Sequence, residues 1–121
     1  MMNPIAGHLE RYMDLVSGRQ KLVAANVANA ATPGYRTQDI DFQFEFQNAI
    51  DDLKRDPRGE PAPAVVIDAP GLKAHNDGNN VSLDREARLM SENALRFNVA
   101  SQLWKGQLRQ LRSAIQEGKN G

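Results

Sequence analysis

The chain of 121 residues contains no cysteine. That excludes disulfides, thiolate nucleophiles and cysteine-ligated zinc, and it leaves the redox compartment open. Aromatic residues make up only 6% of a chain that is 40% hydrophobic, so a large compact core is not assured. The formal net charge is zero, without the basic excess of a dedicated nucleic-acid binder, so no nucleic-acid partner is expected. No apolar run reaches membrane-spanning length, which argues against direct membrane insertion. Glu10, Arg11 and Asp14 interrupt residues 1–20 where a cleavable signal peptide needs an unbroken apolar segment. Taken alone, that predicts a cytoplasmic protein. The length predicts one structural unit.

Signs of catalysis are equally sparse. His8 and His75 are distant and lack ligand-like spacing. His75 beside Asp77 reads as an exposed loop histidine. An EF-hand loop starting at Asp77 ends on Arg88, where calcium needs a bidentate glutamate. No glycine-rich loop resembles a phosphate cradle, and no serine has a histidine partner in motif form. No dense basic region precedes the C-terminal heptads, as a leucine-zipper DNA binder requires. The sequence therefore predicts no catalytic residue, no metal ligand and no cofactor.

Charge is present but segregated. Residues 37–60 carry seven acids against Lys54, Arg55 and Arg58, whereas residues 96–121 carry five bases against Glu117 alone. Such asymmetry can orient subunits against one another, although most charge runs are simply solvated faces.

Two long helices are predicted. The first runs from about Pro4 to Ala31, with Asn3 as cap and Pro4 at the first helical position. Ile5, Leu9, Tyr12, Val16, Val23 and Val27 share one face, which Arg19 and Asn26 interrupt. A polar residue in an apolar seam often fixes register. The plainer alternative is that Arg19 extends outward and Asn26 bonds a nearby carbonyl. The second helix opens at Ser82, has Asp84 and Glu86 in its first turn, and stops at Gly118. Leu83, Ala87, Met90, Ala94, Phe97, Ser101, Trp104, Leu108, Leu111 and Ile115 alternate spacings of four and three, a heptad seam that predicts supercoiling against a partner helix. Its length is roughly 50 Å at 1.5 Å per residue. Leu95, Val99 and Leu103 form a second apolar face. The first helix covers one side; the other needs the middle segment or another chain.

The segment 36–81 is irregular. Ile40, Phe42, Phe44 and Phe46 alternate like a strand, but Phe42, Phe46, Ala49, Ile50 and Leu53 follow a helical period for longer, so a short helix is expected over Phe42–Lys54. Pro57, Pro61, Pro63 and Pro70 exclude a long helix, and Val65-Val66-Ile67 suits one short strand or an extended clip. His75 to Asn80 is rich in turn residues and reads as exposed or mobile. The fold class is mainly α: a unit of N-terminal helix and motif (1–35), irregular middle (36–81) and heptad helix (82–121).

The densest signal is the run Ala25-Asn26-Val27-Ala28-Asn29-Ala30-Ala31-Thr32-Pro33-Gly34-Tyr35. Small residues favour helix and permit close approach. Pro33 forces the helix to end, and Thr32-Pro33-Gly34-Tyr35 fits a type II turn. This run resembles the N-terminal signature of the bacterial flagellar rod, hook and hook-associated axial proteins. Asp39-Ile40-Asp41-Phe42 after the turn, Gly78-Asn79-Asn80-Val81-Ser82-Leu83-Asp84-Arg85-Glu86 before the C-terminal helix, and the short length are similar to the proximal rod type of the flagellar basal-body rod family.

The resemblance implies a structural subunit, not an enzyme. It implies export by the flagellar secretion apparatus without a cleaved signal, and assembly in the periplasm into the hollow shaft that carries torque to the hook. The implied partners are further copies of the chain, neighbouring rod subunits, the rod–base adaptor protein and the export gate. On this reading Asn26 and Asn29 set register at a subunit junction, the heptad seam joins subunits, and flagellum-dependent motility requires the chain. The rival reading is a cytoplasmic coiled-coil adaptor or regulator, for which heptads alone suffice.

Overall fold

The computed structural model describes residues 4–120. The elements are α1 (Pro4–Ala28), β1 (Gln38–Ile40), α2 (Phe42–Arg55), β2 (Val66–Asp68) and α3 (Leu83–Asn120). The two long helices pack along one another, as the sequence predicts. They run antiparallel: Asn26 meets Glu86, Asn93 Nδ2 donates to Gln20 Oε1 at 2.9 Å, and Trp104 Nε1 donates to Glu10 Oε1 at 3.2 Å.

The ends of these helices follow from local chemistry. α1 stops at Ala28, earlier than the expected Ala31. The Asn29 side chain takes the Ala25 carbonyl at 2.8 Å, and the N–H groups of Ala30 and Thr32 close three-residue turns onto Val27 and Asn29. Such bonds satisfy the last carbonyls of a helix and tighten it to a halt. The Asn3 cap lies outside the described residues. At the start of α3, Ser82 Oγ accepts the Arg85 N–H at 3.2 Å, the expected cap. Gly118 does not end α3, which continues to Asn120; glycine favours a stop only where the chain turns into the left-handed region. With 38 residues, α3 is about 57 Å long.

α2 forms where its helical period predicts. Asp41 caps it by accepting the Phe44 N–H, and Lys54 and Arg55 sit in the last turn. Phe42 and Phe46 pack edge-on to Tyr12 of α1, each with ring centroids 5.5 Å away. Phe44, between them, is exposed, which settles the strand-or-helix ambiguity by period. The Arg96 guanidinium of α3 lies over the Phe42 ring at 5.9 Å. β1 and β2 pair antiparallel with Gln38 opposite Asp68, Asp39 opposite Ile67 and Ile40 opposite Val66, so the Val65–Ile67 run is a short strand shifted by one residue.

The buried face of α3 differs from the predicted heptad seam. It consists of Glu86, Leu89, Asn93 and Ala100, with Trp104 half-buried. They oppose Ala6, Val16, Val23 and Asn26 of α1. Leu83, Ala87, Met90, Ala94, Phe97 and Ile115 are exposed, and Ser101, Leu108 and Leu111 are half-buried. At 100° per residue the predicted seam lies roughly 80° around α3 from the true contact face. The physical reason is that two contact positions, Glu86 and Asn93, are polar. A hydrophobic pattern cannot register them, so it locks onto the neighbouring apolar stripe. Ile5 and Val27 on α1 are likewise exposed, at 56% and 39%.

Candidate functional site

The exceptional region of the molecule is the junction where α1 ends, β1 begins and α3 starts. Its centre is Asn26, wholly buried. Asn26 Nδ2 donates to the Gln38 carbonyl at 2.9 Å and to Glu86 Oε1 at 2.5 Å. Asn26 Oδ1 accepts from Tyr35 Oη and from the Gln38 N–H, both at 3.0 Å. An asparagine amide has two donors and two acceptor lone pairs, and all four are used. One side chain thus binds both backbone groups of Gln38, as a neighbouring strand would.

The other motif residues close the turn around this centre. Asn29 Oδ1 accepts from Thr32 Oγ1 at 3.1 Å. The Tyr35 N–H returns to the Thr32 carbonyl at 3.2 Å, and Gly34 has φ of 75°, as the predicted type II turn over Pro33 requires. Ala24, Ala25, Val27, Ala28 and Ala31 are exposed and Ala30 is half-buried, so the small residues do not carry the helix–helix contact inside this subunit.

The segment His75–Asn80, expected to be exposed or mobile, is instead anchored at its end. Asn79 and Asn80 are buried, at 0% and 2% exposure. Asn79 Nδ2 donates to the carbonyls of Asn29 and Thr32 at 2.9 and 2.8 Å, and its Oδ1 accepts from the Val81 N–H at 2.8 Å. Asn80 Oδ1 accepts from the Thr37 N–H at 2.6 Å. Gly78 has φ of 85° and lies close to Gly34: an added Cβ would stand 3.4 Å from Gly34 Cα. Two turns distant in sequence are therefore stitched together by two asparagines, because side-chain amides can satisfy buried turn carbonyls that have no strand or helix partner.

A charged cluster lies beneath the junction. Arg19 forks onto Asp39, Nε to Oδ1 and Nη2 to Oδ2, both at 2.9 Å. Arg85 donates to Asp39 Oδ2 at 2.5 Å and to Glu86 Oε2 at 2.7 Å. Glu86 is fully buried and Asp39 is 5% exposed. Burial pushes the Asp39 carboxyl up, but hydrogen bonds from Arg19, the Ile40 N–H and Arg85, with the Arg19 charge, bring it below its ordinary value. Burial likewise opposes the Arg85 charge, and Glu86 and Asp39 more than offset it. The Tyr35 hydroxyl is raised by burial and by the Glu86 charge. Two cations balance two anions, with their hydrogen-bonding groups directed at one another, which is the condition for burying charge without a large penalty.

Arg19 therefore turns inward to Asp39, and the outward alternative is corrected. The carbonyl contact of Asn26 stands, as one bond of four. Sequence reasoning gave Arg85 only through the family motifs, Asp39 through them and as one acid of a charge run, Glu86 otherwise only as a first-turn acid, and Asn79 and Asn80 otherwise only as turn residues; periodicity offered no buried role for any of them. Asn26 spends all four hydrogen-bonding groups of its amide inside its own subunit. The arrangement is a structural clasp: apart from Asn80 Nδ2, which is buried without a hydrogen-bond partner, its side chains hold one another or the backbone, and no nucleophile faces a base. The described residues contain no cluster of three or more histidine, cysteine or acidic side chains that could hold a metal. No described helix is long and apolar enough to cross a membrane.

No protein-family model matches the chain. Among known proteins it is similar to the flagellar basal body rod protein FlgB of Salmonella typhimurium, with 32% identity over 88% of each chain. The protein of the same name from Escherichia coli K12 is 30% identical over 88% of each chain. That of Yersinia ruckeri is 28% identical over 98% of this chain and all of its own length.

Proposed function

The chain belongs to the FlgB family of flagellar basal body rod proteins, and from that premise we propose how it serves as a structural subunit of the basal-body rod. The coiled-coil adaptor reading is not favoured. The observation that carries the mechanism is a contrast within one molecule. The junction spends its polar groups inside the subunit, whereas α3 leaves Leu83, Met90, Phe97 and Ile115 exposed on one stripe and Leu95, Val99 and Leu103 on another. α1 covers one face of a helix that is apolar on several.

On this reading the clasp at Asn26, Asn79 and Glu86 fixes the angle at which α1 hands over to β1 and α3, and so gives each subunit one rigid shape. The exposed seam residues Leu83, Ala87, Met90, Ala94, Phe97 and Ile115, with half-buried Leu108 and Leu111, then pack against neighbouring subunits, while Trp104 of the predicted seam stays with α1 through Glu10. Contacts between unlike surfaces that do not close into a ring build a filament. Long interlocked helices without a hinge suit a shaft that carries torque. The partners are further copies of the chain, neighbouring rod subunits, the rod–base adaptor protein and the export gate. Export follows the flagellar secretion route without a cleaved signal, and assembly takes place in the periplasm. No enzymatic activity is assigned.

Fractionation of cells with and without a functional flagellar export apparatus tests this. The chain is expected to co-purify with basal bodies only when export works, and its deletion to abolish motility. Equal retention in the cytoplasm of both strains, as a closed soluble oligomer, would overturn the rod reading.

A further inference from the structure

A groove of about 1000 Å³ opens between α1, α2 and residues 61–66. Leu15 and Leu22 of α1, Phe44 of α2, and Val65 and Val66 line its apolar part. Phe44, Val65 and Val66 are exposed at 58%, 62% and 49%. Gly18 lies in the same groove. A Cβ added there would meet nothing within 4 Å, and glycine is the poorest helix former after proline. A bare stretch of helix backbone, kept without a local need, permits another backbone to approach closely.

Elsewhere on the subunit stands a matching ridge. Leu95, Val99 and Leu103 are 65%, 52% and 55% exposed. The middle segment, which sequence reasoning offered as their cover, lies elsewhere: α2 turns Phe42 toward Arg96 of α3 and Phe44 toward the groove. The ridge spans nine residues, roughly 12 Å end to end, and the groove-lining stretch of α1 from Arg11 to Leu22 spans roughly 16 Å, so the two lengths are compatible.

Charge supports the pairing. The segment that supplies α2 is rich in acid and the second half of α3 is rich in base. Asp14, Glu45, Asp51 and Asp52 line the groove beside Arg11, Lys21 and Arg55; Arg55 is paired with Asp52, and Asp14 and Asp51 stand exposed. Among the described residues no ion pair engages Arg109, which lies about 80° around α3 from the ridge, whereas Lys105 and Arg112 lie toward the opposite side of the helix.

We propose that the Leu95–Val99–Leu103 ridge of one copy seats in the α1–α2 groove of the next copy of this chain. An amphipathic helix laid in an apolar groove uses anchors at such spacings. Ridge and groove are different surfaces with α2 between them, so the contact is heterologous and leaves a free ridge and a free groove on every linked pair. This deepens the rod reading by naming which face of one copy meets which face of the next.

The absence of cysteine makes the test clean. Gly18→Cys places one thiol in the groove and Val99→Cys one on the ridge, both at exposed positions. Oxidation of the purified double variant at high concentration is expected to give disulfide-linked dimers, trimers and higher species. Each single variant should give none beyond background, and adding Leu95→Ser and Leu103→Ser should remove the ladder. Thermal melts matching the parent chain confirm that the variants fold. A double variant that stays unlinked would overturn the proposal. So would Val99→Cys alone linking as efficiently, since that indicates ridge against ridge. Co-purification of the unsubstituted chain with basal bodies is unaffected by either result, so loss of the ladder with intact co-purification sinks this docking and leaves the rod reading standing.

Discussion

Asn26 Nδ2 donates to Glu86 Oε1 across 2.5 Å, with sixty positions of chain between the two residues. Both are wholly buried. The contact ties the last turn of α1 to the first turn of α3, so the ends of the two long helices are locked before the rest of their lengths can slide.

Asn26→Leu removes four hydrogen bonds and strands the backbone of Gln38, the Tyr35 hydroxyl and one Glu86 oxygen. Glu86 keeps its pair with Arg85, but leaving a buried carboxylate oxygen and buried peptide groups without hydrogen bonds costs about 3–5 kcal/mol. Chemical unfolding of the purified variant should show that loss as a lower midpoint. A motility defect in this variant is then expected to follow from a destabilised subunit, not from altered register between stable ones. An unchanged midpoint would return Asn26 to the intersubunit role that its place in the motif suggests.

Asp39→Asn leaves Arg19 without its carboxylate and Arg85 with Glu86 alone, and should destabilise the fold by about 3–5 kcal/mol near neutral pH. The pH dependence follows from the lowered carboxyl. Its stabilisation is complete above the ordinary value of 3.8 and is lost as pH falls through the lower folded value. Unfolding midpoints measured down the acid range should therefore converge for parent and variant. Parallel curves would mean that Asp39 does not titrate with folding.

The two glycine turns separate backbone strain from crowding. Gly71 and Gly78 have φ of 76° and 85°, a region costing an L-residue about 1–2 kcal/mol. Only at Gly78 does an added Cβ also press on another turn, at Gly34. Gly78→Ala is expected to lower the melting temperature more than Gly71→Ala; equal effects would argue against the close approach of the two turns.

Tyr12→Ala removes the ring against which Phe42 and Phe46 stand. Because α2 meets α1 largely through these rings, the change should raise hydrogen exchange across Phe42–Arg55 while the protection of the α1–α3 pair persists. Uniform acceleration along the chain would show α2 to be part of one cooperative unit with the long helices.

The long helices, α2, the short strand and the turn at Pro33 were legible because each has a local cause: periodicity, a capping side chain, or a proline. The face of α3 was not. Glu86 and Asn93 are buried contacts that look like solvent-facing residues in one dimension, and only Asn26 and Gln20 arriving from α1, with Arg85 turned in beside Glu86, make them satisfiable. Asn79 and Asn80 mislead for the same reason. In sequence they are turn formers; in the fold Asn79 donates to turn carbonyls and Asn80 accepts a backbone N–H, all more than forty residues away. Propensity reads a residue's neighbours in the chain, whereas a buried amide is explained by its neighbours in space. The apolar seam that the heptad pattern picked out is real as a surface, but from Leu83 to Phe97 it faces outward, and only at Trp104 does it meet α1.

That outward seam permits a separation of folding from assembly. Met90 and Phe97 are 42% and 43% exposed, so Met90→Gln with Phe97→Gln removes apolar surface while breaking no side-chain hydrogen bond. Substitutions at such exposed sites usually shift stability by about 0.5 kcal/mol or less; these are half covered, and a loss of about 1 kcal/mol is a fair bound from the area involved. The purified variant should keep the helical signal and cooperative melt of the parent. In cells it should be made in normal amounts yet fail to enter basal bodies, because the stripe that α1 leaves uncovered no longer offers a neighbour an apolar face. Normal incorporation of this variant would mean that the seam faces solvent in the rod and that assembly runs through other surfaces. Collapse of its melt would mean that the stripe belongs to the subunit core. Motility, basal-body content and melting temperature measured on the same variant distinguish the three outcomes.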